Sequence, residues 1–165
     1  MRPFNRKTRS KSMTELTSLP TPLKMLFDSI SAKNSPEHIQ WALKEYGDLM
    51  SKGDAQGVVD LFASDGVLID PVGSEERRGK DLFDFFQGSF EAMGGFIEMR
   101  LDGEVRITGD YGAAAYIARM TIDGQDLMVE TLDVMKFDEN GKFTSVHAYW
   151  GPSNVKTGRK AEKLS

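Results

Sequence analysis

The chain contains no cysteine and only two histidines, His38 and His147. Without thiols there is no disulfide scaffold, no thiolate nucleophile and no iron–sulfur cluster, and two histidines exclude nearly all His-rich metal sites. Several nucleotide and hydrolase signatures are also missing: no Gly-rich loop ending in Lys-Ser/Thr, no G-x-G-x-x-G, no G-x-S-x-G and no H-E-x-x-H. No metal and no cofactor are therefore expected, and any chemistry falls to carboxylates, hydroxyls, amides or amines. Long apolar runs are absent too. Leu23 to Phe27 is short and interrupted by Lys24, far below the ~20 apolar residues of a membrane span. A cytoplasmic protein with no membrane partner is the expectation.

What is present suits one folded core. There are 165 residues, 39% hydrophobic and 10% aromatic, enough for a single domain. The net charge of −4 hides an asymmetry. Arg2, Arg6, Lys7, Arg9 and Lys11 lie in residues 1–12 with no acid, leaving 16 bases against 25 acids, a net −9, for the remainder. So acidic a body repels phosphate backbones, and no nucleic-acid partner is expected. The basic arm itself reads as a solvated tail in preference to a lipid or nucleic-acid contact. Met13 offers an alternative start.

Three segments are expected. Residues 1–34 form a flexible basic leader with a short helix near 22–32, residues 35–155 the folded domain, and residues 156–165 a polar tail. In the domain, Ser35 and Pro36 open a helix whose apolar positions Ile39, Ala42, Leu43, Tyr46, Leu49 and Met50 recur every three or four residues. Gly53 closes it, and Asp54 caps a second helix. Gly66 to Pro71 reads as a short strand and Lys80 to Met93 as a third helix. From Phe96 the period becomes two, with strands near 96–101, 103–109, 113–122, 127–138 and 142–151. The last pair is joined by Asn140-Gly141, a strong hairpin signal. Helices first and a strand meander after give an α+β fold: a curved, mainly antiparallel sheet packed on three helices and enclosing an apolar pocket.

Three oxygens stand on apolar elements. Tyr46 lies on its helix's inward stripe, and Asp70 ends a buried-looking strand. Asp133 shares a strand face with Met135 and Phe137. Burial disfavours a carboxylate's charge and raises its pKa, which marks either a neutral donor or a tuned base. Each also has a structural explanation: a core tyrosine, a turn-capping aspartate before Pro71, and a bulge or lysine-paired aspartate. Residue patterns alone do not bring the three together.

Glu45-Tyr46 to Gly53-Asp54, with Phe62-Ala63-Ser64-Asp65 to Asp70-Pro71-Val72-Gly73, resembles the first half of the bacterial Δ5-3-ketosteroid isomerases. Leu132-Asp133-Val134-Met135-Lys136-Phe137-Asp138-Glu139-Asn140-Gly141 and Ala148-Tyr149-Trp150 resemble their last hairpin. The likeness runs from Ile39 to Asn154 with essentially no gaps, and the separations of 24 and 63 residues between Tyr46, Asp70 and Asp133 fall in register. The resemblance implies the cone-shaped NTF2-like/SnoaL-like fold, no cofactor, a homodimer through the convex sheet face, and an apolar ketone substrate, a steroid. It implies Asp70 as the base, Tyr46 and a protonated Asp133 as donors to the ketone oxygen, and Phe86, Met135, Val146, Ala148 and Trp150 as substrate-binding walls. Where the family supports its tyrosine with further tyrosines, this chain has Phe62 and Gln87. His147, beside Val146 and Ala148, is expected on the opposite, outer face. The alternatives are another SnoaL-like enzyme, an epoxide hydrolase or polyketide cyclase, or a non-catalytic NTF2-like binding module. Epoxide hydrolysis calls for an arginine between two pocket acids, and the inward-looking faces present none.

Overall fold

A computed structural model describes residues 18–95 and 97–158. The chain divides into two units, Met1–Ser31 and Ala32–Ser165. Most of the expected leader, residues 1–17, lies outside the described residues, as do residues 159–165 of the expected tail. The first unit contributes helix α1 (Thr21–Asp28), with Pro22 in its first turn and its apolar residues exposed. Among the described residues no helix is long and apolar enough to cross a membrane.

The second unit opens with α2 (Pro36–Lys52). Ser35 Oγ accepts the His38 amide at its start, and Gly53 adopts φ 66° at its end, so sequence and caps agree. Then follow α3 (Ala55–Asp60), capped by Asp54, and β1 (Phe62–Ile69), β2 (Arg77–Arg78) and α4 (Lys80–Ala92). The remaining strands are β3 (Ile97–Leu101), β4 (Arg106–Thr108), β5 (Tyr111–Ile122), β6 (Gln125–Phe137), β7 (Phe143–Tyr149) and β8 (Val155–Thr157), with a 3₁₀ turn at Pro152–Asn154. They build one open, curved sheet in the order β2-β1-β7-β6-β5-β3, with β4 beside β5 and β8 beside β6. Every pairing is antiparallel except β1 with β7. The expected α+β class and the packing of three helices on the sheet hold.

Two segment ends differ from expectation. Lys33 and Asn34, assigned to the leader, are tied down because both backbone amides donate to Asp110 Oδ1, at 2.8 and 2.9 Å. Lys156 and Thr157, assigned to the tail, extend the sheet in β8. β2 and β8 were invisible because two or three residues carry no period.

The core is the layer between sheet and helices. Phe62 and Phe137 meet Phe143 edge to face near its centre, and Phe86 packs tilted against Phe62. α2 approaches the sheet where side chains are smallest. Gly47 sits against the Met99 carbonyl and the Tyr116 ring, and Gly112 against Ile39 and Leu43. On edge strand β3 the Met99 amide donates to Ser51 Oγ at 2.8 Å, which gives an edge N–H a partner from α2. A Cβ at Gly112 would lie 2.7 Å from Ile39 Cγ2 and 3.0 Å from Leu43 Cδ1. Gly112→Val is therefore expected to destabilise the protein by about 1–3 kcal/mol through overpacking, read as a lower urea midpoint.

Candidate active site

Helix α2 delivers Tyr46. Its apolar stripe faces the sheet, so Tyr46 is only 1% exposed, with its ring edge-on to Phe86, Tyr116 and Phe143. The neighbouring Tyr116 hydroxyl is spent, donating to the Leu43 carbonyl at 2.7 Å. The Tyr46 hydroxyl bonds to none of the described residues, and Tyr46 lines a cavity of about 460 Å³ between helices and sheet. Burial pushes its phenol well above the ordinary 10, and the charges of Asp133 and Asp70 push it further. It is a hydrogen-bond donor at any physiological pH.

Asp70 follows β1 and is fixed from both sides. Val67, Leu68 and Ile69 pair with Ser145, Val146 and His147 of β7, and beyond it the Val72 amide donates to the Ala148 carbonyl at 2.8 Å. The Trp150 indole Nε1 donates to Asp70 Oδ1 at 2.7 Å. Arg77, opposite Leu68 in the β1–β2 pair, also lines the cavity. Its guanidinium lies over the Phe85 ring at 4.3 Å, donates to the Glu75 carbonyl at 3.1 Å and reaches the Asp70 carbonyl at 3.5 Å. Burial raises the Asp70 carboxyl above its ordinary range, while the Trp150 bond and the Arg77 charge hold it back.

Asp133 comes from β6 and is 1% exposed. Its in-register neighbours are Ala114 and Ala148, which leave space but offer no polar side chain. Thr131, two residues earlier on the same face, donates from Oγ1 to Asp133 Oδ1 at 2.7 Å. Burial pushes this carboxyl from 3.8 up to about 7, opposed by the Thr131 bond and reinforced by the Asp70 charge. The cavity thus joins a phenol and two carboxyls whose hold on a proton burial strengthens, that of Asp133 up to about 7.

Of the expected walls, Phe86, Ala148 and Trp150 line the cavity with Tyr46, Asp70 and Asp133. Met135 and Val146 do not. They pair with each other in register and are fully buried toward the Phe137–Phe143 end of the strands. Strand period assigns a side chain to a face but not to a depth along it. Gln87 faces away from the cavity, donating to Glu91 on its own helix, and Phe62 packs in the aromatic core. His147 lies in register with Val134 and Ile69 on the outer face. Sequence reasoning missed Arg77 and Thr131. The first sits on the two-residue strand Arg77–Arg78, too short to carry a period; the second was legible as a hydroxyl two positions before Asp133.

With this geometry in hand, likeness to known proteins can be weighed. A model of the SnoaL-like domain matches residues 43–146. The chain belongs to the SnoaL-like domain family. A steroid Delta-isomerase of Nocardioides simplex is 32% identical over 119 residues, 71% of this chain and 93% of that one. Among solved structures, the epoxide hydrolase/cyclase-like enzyme SalBIII of pyran ring formation in polyether salinomycin superposes with a TM-score of 0.67. It is 22% identical, covering 74% of this chain and 97% of that chain, and so shares the fold.

Burying Asp133 in this SnoaL-like domain has a measurable cost once the group must ionise. An unfolded aspartate loses its proton near 3.8, whereas the folded one holds it to about 7. Between these values the folded state binds the extra proton, so stability declines as pH rises from about 4 to about 7, by roughly 4 kcal/mol, and is flat above. Asp133→Asn, neutral at every pH, is expected to remove that decline. Urea unfolding at pH 4, 6 and 8 would then show the variant gaining on the wild type as pH rises.

Proposed function

We propose that the chain is a steroid Δ-isomerase, moving a C=C bond from Δ5 to Δ4 of a 3-oxosteroid by intramolecular proton transfer through a dienolate. The observation that carries this reading is the pair of unlike carboxyls beside a free tyrosine hydroxyl in one apolar cavity. The Nocardioides simplex relative supports it.

The Asp70 carboxylate removes a proton from C4. The C–H electron pair moves toward the ketone, giving a dienolate with negative charge on the 3-oxygen. Tyr46 and protonated Asp133 donate hydrogen bonds to that oxygen where the charge develops. Asp70–H then returns the proton to C6: the C5=C6 pair forms the new C6–H bond, the C3=C4 pair shifts to C4=C5, the 3-oxyanion re-forms the ketone, and Asp70 is a carboxylate again. Atoms and electrons balance within the substrate and one carboxyl, so the step needs no cofactor. Phe86, Ala148 and Trp150 wall the substrate, and Met50, Met93, Met99 and Met120 supply an adaptable apolar surface. Homodimerisation through the outer sheet face, where Tyr111, Leu132 and Tyr149 are exposed, and a cytoplasmic location complete the proposal.

One observation favours a second reading, opening of an epoxide: Arg77 shares the cavity with both acids, correcting the expectation that no arginine faces inward. Among the described residues, however, Arg77 forms no ion pair with either acid, and its donors go to the Glu75 and Asp70 carbonyls and the Ser74 hydroxyl, over the Phe85 ring.

The test is the absorbance of the conjugated enone formed from a 3-oxo-Δ5 steroid. Asp70→Asn is expected to keep fold and ligand binding while lowering kcat on the order of 10³-fold. Tyr46→Phe should lose less, about 10²-fold, because Asp133 still donates. A near-wild-type rate in Asp70→Asn would overturn the base assignment, and ligand binding without turnover by the wild type would leave a binding module. The pH profile of kcat/KM is expected to be bell-shaped. Its acid limb reports Asp70, above the ordinary carboxylate range, and its alkaline limb, near pH 7, reports loss of the Asp133 proton.

A further inference from the structure

We infer that Thr131 is a positioning residue of this site: its hydroxyl engages one oxygen of Asp133, so that the other oxygen presents the acidic proton to the substrate. The inference rests on the isomerase reading, in which Asp133 is a donor, and adds a residue that the mechanism above does not need.

Residues 131 and 133 of β6 share a face, and both line the cavity. A threonine hydroxyl has one hydrogen to give, and here it goes to Asp133 Oδ1 at 2.7 Å. A neutral carboxyl likewise carries one proton. With Oδ1 occupied as an acceptor, that proton belongs on Oδ2, and rotation of the carboxyl would sacrifice the bond from Thr131. β-branching at Thr131 restricts χ1 and so fixes the hydroxyl in turn.

No other described side chain does this work. From β5, Tyr116 has given its hydroxyl to Leu43 and Ala114 is apolar; from β7 comes Ala148. Tyr46 from α2, Asp70 after β1 and Arg77 from β2 are the titratable or charged groups that face Asp133 across the cavity, and none is hydrogen-bonded to it. His147 is on the other face of the sheet. A carboxyl in so apolar a place would otherwise be free to exchange its two oxygens by rotation. Its proton would then point at the ketone only part of the time.

The Thr131 bond also has a sign. Donation to a carboxylate stabilises the charged form, so it draws the Asp133 titration down from where burial alone would set it. Thr131 therefore orients the donor while keeping its acidity close to neutral pH. An acid nearer neutrality shares its proton more fully with a developing oxyanion.

Thr131→Val keeps the shape and removes the donor; Thr131→Ser restores the donor on a smaller side chain. Two readouts are followed in the full chain: the Asp133 titration by carboxyl-carbon NMR without ligand, and the pH dependence of kcat and KM with a 3-oxo-Δ5 steroid. In Thr131→Val the Asp133 midpoint is expected to rise above about 7, and the alkaline limb of kcat/KM to rise with it. At neutral pH kcat should fall about tenfold with KM little changed, because orientation of the donor is lost and binding is not. Thr131→Ser should recover both midpoint and rate. An unmoved midpoint in Thr131→Val, or a Thr131→Ser variant no better than Thr131→Val, would overturn the assignment. If the wild type does not isomerise the steroid, the isomerase reading falls by itself, and the NMR midpoints still decide whether Thr131 controls Asp133.

Discussion

A carboxylate moved into an apolar interior without a partner costs more than a domain of this size has to spend, so a chain that buries Asp133 must either pair its charge or let it keep its proton. No cation lies within ion-pair distance of Asp133 among the described residues. The proton is the outlet, and the surrounding fold is arranged so that this is so. Ala114 and Ala148 flank the carboxyl without polar groups, and α2 closes over it because Gly47 and Gly112 let helix and strands approach. Tyr46 rides in on that helix. Burial of one acid and delivery of the tyrosine follow from the same close packing.

Asp70 has the same side chain in a less buried place, and burial raises its pKa too. It stands at a strand end and is half-buried, with an indole N–H on one oxygen and a guanidinium nearby. These stabilise its anion without removing all of the burial penalty, which leaves a base weaker in charge stabilisation than a surface carboxylate and hence more basic. The isomerase proposal makes one of these identical residues an acceptor and the other a donor, told apart by position on the sheet. Tyr46 feels both charges and is driven further into its neutral form. The Asp70 charge likewise adds to the rise of Asp133.

Most of this was legible where a period runs long enough to be read. The α2 stripe with its Ser35 and Gly53 caps, the Asn140-Gly141 hairpin, and the alternation placing Asp133, Met135 and Phe137 on one face all follow from residue spacing. What escaped were properties with no period. Depth along a strand separated Ala148, in the cavity, from Val146, in the core two residues earlier. Helix phase turned Gln87 outward to Glu91. β2 is too short to show that Arg77 faces inward, and Lys33 and Asn34 look like leader until Asp110, 76 residues from Asn34, captures their amides. Long-range capture of backbone groups has no local signature. The meeting of Tyr46, Asp70 and Asp133 likewise needed the sheet order, since β1, β6 and β7 become neighbours only through the parallel β1–β7 pairing.

Fold similarity alone does not choose the chemistry. A protein 22% identical and described as epoxide hydrolase/cyclase-like shares this scaffold, and that scaffold would present any three inward side chains equally well. The choice lies in how charge is disposed inside the cavity. A cation poised between the two acids would hold both of them ionised. Here the arginine is turned to carbonyl oxygens and an aromatic face, so it tempers Asp70 and leaves Asp133 to its burial. On the isomerase proposal, Asp70 removes the proton while the more deeply buried Asp133 stabilises the resulting oxyanion in the same event. The difference between the two acids is set through packing, and α2, with its two close glycine contacts, takes part in that packing.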